Sequence, residues 1–235
     1  MRVNEIFSSV QGEGIHAGIP MVFVRFQGCN LDPGCIWCDT QYARDNPVGE
    51  FMSVREVCSK VLWAGVEECW VCLTGGEPLM QGDDLCKLVK RLRGEGYHIE
   101  VETNGSYPVP SWYTFVDSWV ADIKCPSSGV YGVSREEWFE VRACDQVKLV
   151  VGNEGDLDFA RGLIGTHRDC RPQVLVSPVL RSFVNFQEGN SILDCYYEWK
   201  QEQEWLQTVW SFCVDNGVRF NLQLHKVVWG NKRGV

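Results

Sequence analysis

Short apolar runs typical of β-strands alternate along this chain with segments whose apolar residues have helical spacing. One helical segment begins with a capping-box pattern, Ser53 followed by Glu56. Strands that alternate with helices predict an α/β fold with a mostly parallel sheet and right-handed crossovers. The predicted strands span residues 21–28, 70–74, 98–102, 118–123, 147–151, 173–177 and 218–224, and the predicted helices span residues 53–63, 83–93, 134–141 and 197–216.

Residues suited to ligand binding stand where the first four predicted strands end. The first strand leads into Cys29, and the next three lead into Thr-Gly-Gly-Glu-Pro at 74–78, Glu-Thr-Asn-Gly at 102–105 and Asp-Ile-Lys at 122–124. Ligands of a parallel sheet bind beyond the carboxyl ends of its strands, so we expect these segments to line one rim. Glycine lets a ligand approach the backbone, and Glu77 can accept a hydrogen bond from an ammonium group.

Three cysteines, Cys29, Cys35 and Cys38, lie within ten residues directly after the first predicted strand. A cluster of four irons and four sulfides normally takes four thiolates, so three would leave one iron open for another ligand. Zinc also binds Cys-x-x-Cys, but a closed zinc site needs a fourth ligand, and neither His16 nor Cys58 stands at a zinc-knuckle spacing. The run alone leaves open an iron–sulfur cluster, a zinc site, or buried or redox-switch thiols.

The other cysteines carry less information. Cys69 and Cys72 form a second Cys-x-x-Cys, but residues i and i+3 of a strand face opposite sides, so their sulfurs should not meet at one metal. For the remaining cysteines we expect the role of small buried apolar residues. Twelve cysteines without a secretion signal indicate reduced thiols and metal chemistry before disulfides.

Charge and length exclude several function classes. The net charge of -9 opposes broad binding to a nucleic-acid backbone, which needs a basic surface. No apolar run reaches the roughly 18 residues of a membrane span, so we expect no membrane partner and a cytoplasmic protein. The 235 residues carry no linker-like or low-complexity stretch, which predicts one domain over residues 1–235.

The ordered motifs resemble the radical S-adenosylmethionine superfamily and, within it, the 7-carboxy-7-deazaguanine synthase family. The resemblance rests on residues 4–14, 23–30, 37–40, 74–78, 102–106 and 222–226, and so extends over nearly the whole chain. Two departures stand out. Five residues, 30–34, separate the first two cysteines where the superfamily usually has three, and Asp122-Ile123-Lys124 replaces a frequent Ser-Pro-Lys, so that only Lys124 matches.

The resemblance implies a fold and a reaction. The fold is an incomplete parallel β/α barrel with the cluster at its open C-terminal rim. S-adenosylmethionine binds the open iron of a [4Fe-4S] cluster and, after one electron is transferred, gives a radical that abstracts hydrogen from the substrate. The reaction is the ring contraction of 6-carboxy-5,6,7,8-tetrahydropterin to 7-carboxy-7-deazaguanine with loss of ammonia, a step toward queuosine or archaeosine. Magnesium, an external flavodoxin-like or ferredoxin-like electron donor and a homodimer belong to the same expectation.

The resemblance also implies site residues. Cys29, Cys35 and Cys38 hold the cluster, and the hydroxyl of Thr40 binds magnesium. Residues expected near S-adenosylmethionine are Ile36, Trp37, Cys38, Gly76, Glu77, Glu102, Asn104, Asp122, Ile123, Lys124, Ser177, Pro178, Val179 and Leu180. Residues expected near the pterin are Val10, Gln11, Gly12, Glu13, Arg25, Thr74 and His225.

Each of the sharper assignments has a plainer alternative. Arg25 can supply a bidentate guanidinium to a carboxylate, but it can also form a surface ion pair. Thr40 reads equally as a helix N-cap, and His225 as a structural hydrogen-bond partner at a strand end. For the whole protein, the rival functions are an activase that makes a glycyl radical on a partner protein and a zinc-stapled binding module.

Overall fold

A nine-stranded open sheet forms the centre of the fold, in the strand order β3-β1-β2-β4-β5-β6-β7-β8-β9. The computed structural model describes residues 1–45, 48–64, 70–180, 192–230 and 232–234, without the side chains of 192–197. The strands are β1 Arg2–Val10, β2 Pro20–Phe26, β3 Glu50–Phe51, β4 Trp70–Gly75, β5 His98–Thr103, β6 Ser118–Lys124, β7 Gln146–Val151, β8 Gln173–Pro178 and β9 Arg219–Phe220. The helices are α1 Gln41–Arg44, α2 Val54–Trp63, α3 Asp83–Gly94, α4 Glu154–Thr166, α5 Ile192–Asn216 and α6 Leu224–Trp229.

Seven neighbouring strands, β2 and β4 to β9, run parallel, whereas β1 pairs antiparallel with both β2 and β3. The α/β class and the incomplete barrel are therefore confirmed. An open parallel sheet brings the carboxyl ends of its strands to one edge, so the segments after β2, β4, β5 and β6 share a rim as expected.

All seven predicted strands are present, but the last was predicted too long. β9 contains two residues, and α6 begins at Leu224, where the sequence pattern suggested a continuing strand. Asn221 and Gln223 explain the difference, because both are buried polar residues that bind across the fold: Asn221 to Gly14 and Ser177, and Gln223 to Glu13. Residues 134–141 were predicted as a helix and contain only a short 3₁₀ turn, Glu136–Glu140.

Five strands and helices were not predicted: β1, β3, α1, α4 and α6. The apolar alternation of β1 is interrupted by serine and charged residues, and β3 is only two residues long. Helix α4 contains three glycines, which lower helix propensity, and it begins at the N-cap Asn153, whose side chain accepts from the backbone N–H of Asp156.

The two faces of the sheet differ in polarity. On one face, β-strand residues such as Val24, Leu73 and Ile123 pack with helix residues such as Leu88 of α3 in the main apolar core. Helix α2 is fixed at its start by the predicted capping box of Ser53 and Glu56. On the other face, several strands carry polar residues at alternating positions, which are Glu100 and Glu102 of β5, Asp122 and Lys124 of β6, and Gln146 and Lys148 of β7. Among the described helices, none combines the length and apolar character that a membrane span requires.

Candidate active site

A cavity of about 240 Å³ opens at the carboxyl ends of the parallel strands. Its wall combines the loop after β1, the three-cysteine loop, the ends of β4 to β7, the start of α6 and residues 232–234. The predicted site residues that line it are Val10, Gln11, Gly12, Glu13, Arg25, Cys29, Cys35, Trp37, Cys38, Thr40, Thr74, Gly76, Glu102, Asn104, Asp122, Lys124, Val179 and His225. Residues spread over more than two hundred positions thus meet in one space.

The cavity has two ends. We use "cluster end" for the three cysteines with Gly76, Asn104 and Lys124, and "ion-pair end" for Gln11, Glu13, Arg25, Glu102 and Lys148. All of these residues line the cavity.

The loop between Cys29 and Cys35 folds inward over one apolar residue. Leu31 is buried and packs with Cys35 and Val130, while the polar side of the loop is tied by Asn30. The Asn30 side chain donates to Ser106 Oγ at 2.9 Å and accepts from Asn104 Nδ2 at 2.9 Å. The turn contains a cis Asp32–Pro33 peptide bond. The two extra residues of the loop are therefore accommodated by a buried leucine and a side-chain anchor.

The spacing of the three thiols distinguishes between metal sites. Four ligands around one zinc ion, each at 2.3 Å, stand about 3.8 Å apart, whereas thiolates on different irons of a cluster stand farther apart. Among the described residues, the one group of three His, Cys, Asp or Glu ligand atoms within 4.8 Å of one another is Cys72, Glu100 and Glu102. At least one pair among the Sγ atoms of the free thiols Cys29, Cys35 and Cys38 is therefore more than 4.8 Å apart, which is wider than a single tetrahedral zinc ion allows.

Two glycines allow β4 to end flush against the segment that carries Cys29. A Cβ atom on Gly75 would collide with the backbone of Phe26, and one on Gly76 would collide with the carbonyl of Gly28. The backbone N–H of Glu77 donates to that same Gly28 carbonyl at 2.8 Å. Gly75 also has a φ of 141°, which disfavours other residues. The Gly-Gly pair thus places the β4 rim directly beside the first cysteine.

The Glu77 side chain, which we expect near the cofactor amine, is hydrogen-bonded to groups of the protein. Its side chain is fully buried, lies outside the cavity wall, and binds protein groups instead: the backbone N–H groups of Leu79 and Asn104 and the hydroxyl of Thr103. Burial raises the pKa of Glu77 to about 7, although these donors act against the rise. Glu77 therefore holds the loops after β4 and β5 together, and contact with the cofactor amine stays a prediction.

Two neighbouring groups, Asn104 and Lys124, favour the thiolate forms of Cys29 and Cys35. Asn104 Nδ2 donates to Cys29 Sγ at 3.6 Å, and the Lys124 ammonium lies close enough to Cys35 to stabilise its charged form. Burial nevertheless raises the pKa of both Cys29 and Cys35. Iron bound by these thiols would displace their protons and so overcome this rise. Trp37 closes the side of the site, with its Nε1 donating to Ser127 Oγ at 3.3 Å.

Five other predicted cofactor residues lie outside the cavity wall. Alternation along β6 turns Asp122 and Lys124 into the cavity and Ile123 into the apolar core. Ile36 is 74% exposed, pointing away from the thiols that flank it. Ser177, Pro178 and Leu180 are buried around the end of β8, where only Val179 reaches the cavity. Cofactor contact by these five residues stays a prediction.

At the ion-pair end, Gln11 joins two carboxylates, the buried Glu100 and the partly buried Glu102. Its Nε2 donates to Glu100 Oε1 at 2.6 Å and to Glu102 Oε1 at 3.0 Å, and Thr74 Oγ1 donates to Glu102 Oε2 at 2.9 Å. Burial raises the pKa of Glu102, and the nearby Glu13 and Glu100 raise it further. The amide of Gln11 is thereby held in one orientation at the cavity floor.

Glu13 is paired with a buried cation. Its Oε2 lies 2.7 Å from Lys148 Nζ, and its Oε1 accepts from Gln223 Nε2 at 2.7 Å. Burial alone would raise the pKa of Glu13, but Lys148 and His225 lower it to about 2. The group is a carboxylate at neutral pH.

Arg25 is an internal residue rather than part of a surface ion pair. Its side chain is 16% exposed, and its Nε donates to Glu5 Oε1 at 2.7 Å. Tyr42 donates to the same oxygen at 2.8 Å, and the guanidinium lies over the Phe7 and Tyr42 rings. Burial opposes the charge, but Tyr42 and Glu5 still raise the pKa of Arg25. The result is a fixed cation at the cavity wall.

The C-terminal helix docks onto the N-terminal loop beside Thr40. The backbone N–H of Leu224 donates to the Gly12 carbonyl at 2.9 Å, and a Cβ on Gly12 would come within 2.6 Å of His225 Nδ1. Lys226 Nζ bonds to Asp39 Oδ2 at 2.9 Å. Thr40 occupies the N-cap position of α1, but its side chain makes no capping bond and lies 3.7 Å from Cys38 Sγ. The Thr40 hydroxyl is thus left to the cavity.

The residues of the wall that were not assigned a role from sequence include Lys148, Tyr42 and Gln223. Lys148 had a signal, because a lysine interrupts the otherwise apolar run of β7. Tyr42 and Gln223 had none, since their importance comes from partners distant in sequence.

Comparison with known proteins decides between the alternatives. Residues 23–120 match the Radical SAM superfamily. A 7-carboxy-7-deazaguanine synthase of Pyrobaculum aerophilum is 35% identical over 100% of this chain and 97% of its own length. One of Clostridium acetobutylicum is 31% identical over 100% of this chain and 99% of its own. The chain belongs to the 7-carboxy-7-deazaguanine synthase family.

The fold of the 7-carboxy-7-deazaguanine synthase family is also found by structural comparison. The crystal structure of QueE from Escherichia coli superposes with a TM-score of 0.68 and 22% identity, covering 95% of this chain and 94% of that chain. Membership of the family makes the protein a radical S-adenosylmethionine enzyme, and the superfamily implies a [4Fe-4S] cluster and S-adenosylmethionine as cofactors. The zinc-stapled module and the glycyl-radical activase are not favoured.

Proposed function

We propose that the protein converts 6-carboxy-5,6,7,8-tetrahydropterin into 7-carboxy-7-deazaguanine with loss of ammonia, acting as one domain. The observation that carries the proposal is one cavity lined by the three thiols, the Arg25 guanidinium and the Glu13 carboxylate, with the side chains of Arg25 and Glu13 only 16% and 13% exposed. A substrate with a carboxylate at one edge and N–H donors at the other needs both kinds of group. A protein substrate would not need both groups inside one small cavity.

Arg25 is the proposed partner of the substrate carboxylate. Of its five N–H donors, the one on Nε binds Glu5, which orients the guanidinium and leaves the terminal Nη groups for a ligand. The Phe7 and Tyr42 rings fix its plane. A planar guanidinium held in this way suits a carboxylate better than a flexible ammonium does.

Glu13, Gln11, Thr74 and the backbone of residues 10–12 are the proposed partners of the pterin ring. Glu13 is charged and accepts hydrogen bonds, as the amino and amide N–H groups of the ring require. His225 stands beside it, and burial lowers the pKa of His225, so the imidazole is neutral at pH 7. A neutral imidazole can donate one proton and accept another, which suits a polar ring edge.

Cys29, Cys35 and Cys38 are the proposed ligands of the [4Fe-4S] cluster. When bound, the cluster and S-adenosylmethionine supply the radical that abstracts hydrogen from the substrate. Gly76, Asn104 and Lys124 are the proposed cofactor contacts, because they line the cavity beside the thiols. Leu31, Val130 and Trp37 shield the thiols from water.

Magnesium is proposed to bind at the Thr40 hydroxyl. One hydroxyl is a weak ligand for this ion, so substrate oxygens and water would complete an octahedral shell. An external flavodoxin-like or ferredoxin-like electron donor, a homodimer and a cytoplasmic location complete the proposal.

Anaerobic reconstitution followed by turnover tests the function. We expect a brown protein with about four irons per chain, which forms the deazaguanine from the carboxytetrahydropterin when S-adenosylmethionine, a reductant and magnesium are present. Reactions without magnesium or without reductant are the controls. Abundant deoxyadenosine without any deazaguanine would defeat the substrate assignment, and colourless zinc-bearing protein would defeat the cluster.

A further inference from the structure

Lys148 is a buried ammonium that bridges two distant parts of the cavity wall. Its side chain is 10% exposed, its Nζ lies 2.7 Å from Glu13 Oε2 and 3.3 Å from Asp122 Oδ1, and it stands in register with Asp122 in the sheet. Glu13 and Lys148 are 135 residues apart in sequence. An ion pair that spans such a distance fixes the N-terminal loop against the sheet.

The pair leaves part of the Glu13 carboxylate available. An ionised carboxylate has about four acceptor positions. One on Oε2 is taken by Lys148 and one on Oε1 by Gln223, so each oxygen keeps one for a ligand in the cavity that Glu13 lines. Two adjacent acceptors match two adjacent N–H donors, such as the amino and ring N–H groups of a 2-amino-4-oxo heterocycle.

We propose that Lys148 is a positioning residue for the pterin: its ammonium keeps the Glu13 carboxylate charged and aimed at the paired N–H donors of the ring. The inference rests on the proposed function. Lys148 itself acts through Glu13 and does not touch the ring.

The charged groups around Glu13 determine how its protonation would change if Lys148 were replaced. Glu13 faces Lys148 from β7, His225 from α6, Glu102 from β5 and Asp39 from the cysteine loop. Lys148 is the ammonium in direct contact with it, while Glu102 and Asp39 are acids. Without Lys148, burial and these acids would favour the protonated form of Glu13, which has lost an acceptor position.

The test compares the holoenzyme with Lys148→Met, Lys148→Arg and Gln223→Met, each reconstituted with cluster. At pH 7 we expect Lys148→Met to raise the KM for the carboxytetrahydropterin by about tenfold to a hundredfold, the cost of one charged hydrogen bond. In this variant, KM should fall as pH rises from 5 to 8, because Glu13 then regains its charge. Lys148→Arg should recover most of the affinity. Gln223→Met, which removes an uncharged donor to the same carboxylate, should raise KM without adding a pH dependence.

A double-mutant cycle keeps the proposal testable if Lys148→Met lowers stability. In the Glu13→Gln background, Lys148→Met should change KM by less than about twofold, because the group through which Lys148 acts is already gone. Multiplicative effects of the two substitutions would overturn the proposal, as would an unchanged KM or identical flat pH profiles in Lys148→Met and Gln223→Met.

The wild-type reaction separates this proposal from the one on which it rests. If the wild-type enzyme makes deazaguanine and the Lys148 variants behave otherwise than expected, only the role of Lys148 is refuted. If the wild-type enzyme binds cluster but makes no deazaguanine, both proposals are refuted together.

Discussion

Two carboxylates, the partly buried Glu13 at the ion-pair end and the fully buried Glu77 beside the cluster end, have different partners. Glu13 at the ion-pair end contacts an ammonium and has a pKa of about 2, whereas Glu77 beside the cluster end accepts only from uncharged donors and has a pKa of about 7. Within the described residues, no salt bridge reaches Glu77. The same residue type thus becomes a charged binding group in one place and a structural anchor in the other.

The cluster end and the ion-pair end of the cavity are also built from differently distributed parts of the sequence. The cluster end consists mainly of one short loop and the glycine turn that packs against it, so its chemistry is local in sequence. The ion-pair end consists of side chains from the loop after β1 and from β2, β5 and β7, which meet only in the folded sheet. Functional residues that are close in sequence can be recognised as a motif. Functional residues on separate strands can be grouped only when the order and register of the strands are known.

The largest effect is expected from the cluster end. Cys35→Ala removes one of three cluster ligands, so iron content should fall far below that of the wild type and activity should be lost. Iron analysis and visible absorption after anaerobic reconstitution measure this. Cys144→Ala, which removes an exposed thiol elsewhere, is the matched control and should keep its iron. Equal iron in Cys35→Ala and the wild type would refute the ligand assignment.

The raised pKa of Glu77 predicts that its contribution to the free energy of unfolding depends on pH. The raised pKa of Glu77 means that the folded protein holds its proton more tightly than the unfolded chain, so this group should lower the free energy of unfolding as pH rises from 4.5 to about 7. The full shift corresponds to about 3 kcal/mol. Glu77→Gln should remove this part of the pH dependence, while Glu56→Gln at an exposed helix start should keep it. Denaturant unfolding at several pH values compares the three proteins, and parallel curves for all three would show that Glu77 is ionised throughout.

Arg25 tests whether the ion-pair end binds a carboxylate. Arg25→Gln should raise the KM for the carboxytetrahydropterin by about tenfold to a hundredfold, because a charged hydrogen bond is lost. Arg25→Lys should recover only part of it, since lysine lacks the planar fork. Arg91→Gln, which breaks an exposed ion pair with Glu95 on α3, is the control. Steady-state kinetics on proteins of equal iron content compares the variants. An unchanged KM in Arg25→Gln would show that Arg25 pairs with Glu5 but does not bind the substrate carboxylate.

The smallest effect on activity is expected from Thr40. Thr40→Ala should raise the magnesium concentration needed for half-maximal activity by no more than about tenfold, because substrate and water supply most ligands of this ion. Thr166→Ala, which removes an exposed hydroxyl bound to a helix carbonyl, should leave the magnesium response unchanged. A magnesium titration measures both, and identical curves for Thr40→Ala and the wild type would exclude the hydroxyl as a ligand.

The sequence predicts the cluster end better than the ion-pair end, for the same structural reason. Cys29, Cys35 and Cys38 share a loop, and Gly75 and Gly76 follow a strand, so periodicity and spacing are enough to place them on one rim. Lys148 was visible only as a charge in an apolar run, and its partner Glu13 could not be found without knowing the sheet order. Glu77 belongs to a motif that the sequence shows clearly, but the motif does not show that its side chain is buried against Leu79, Thr103 and Asn104.

The prediction of the strand ends failed for two reasons: alternate residues of a strand face opposite sides, and local sequence patterns contain no distant partners. Asp122, Ile123 and Lys124 were grouped as one segment, but alternate residues of a strand face opposite sides, so only the outer two reach the cavity. β9 stopped early because buried Asn221 and Gln223 bind partners far away in the chain, which no local pattern contains.

The contacts between the two ends of the chain set an order of events during synthesis. Gly14 bonds to Asn221, Glu13 to Gln223, and Gly12 to Leu224, across more than two hundred residues. A ribosome can therefore release the three-cysteine loop and the first parallel strands long before the opposite wall of the cavity exists. A nascent chain that stops before residue 221 has its cysteines in place but no closed wall around the ion-pair end. The cavity is therefore completed only after residues 221–224 have been translated.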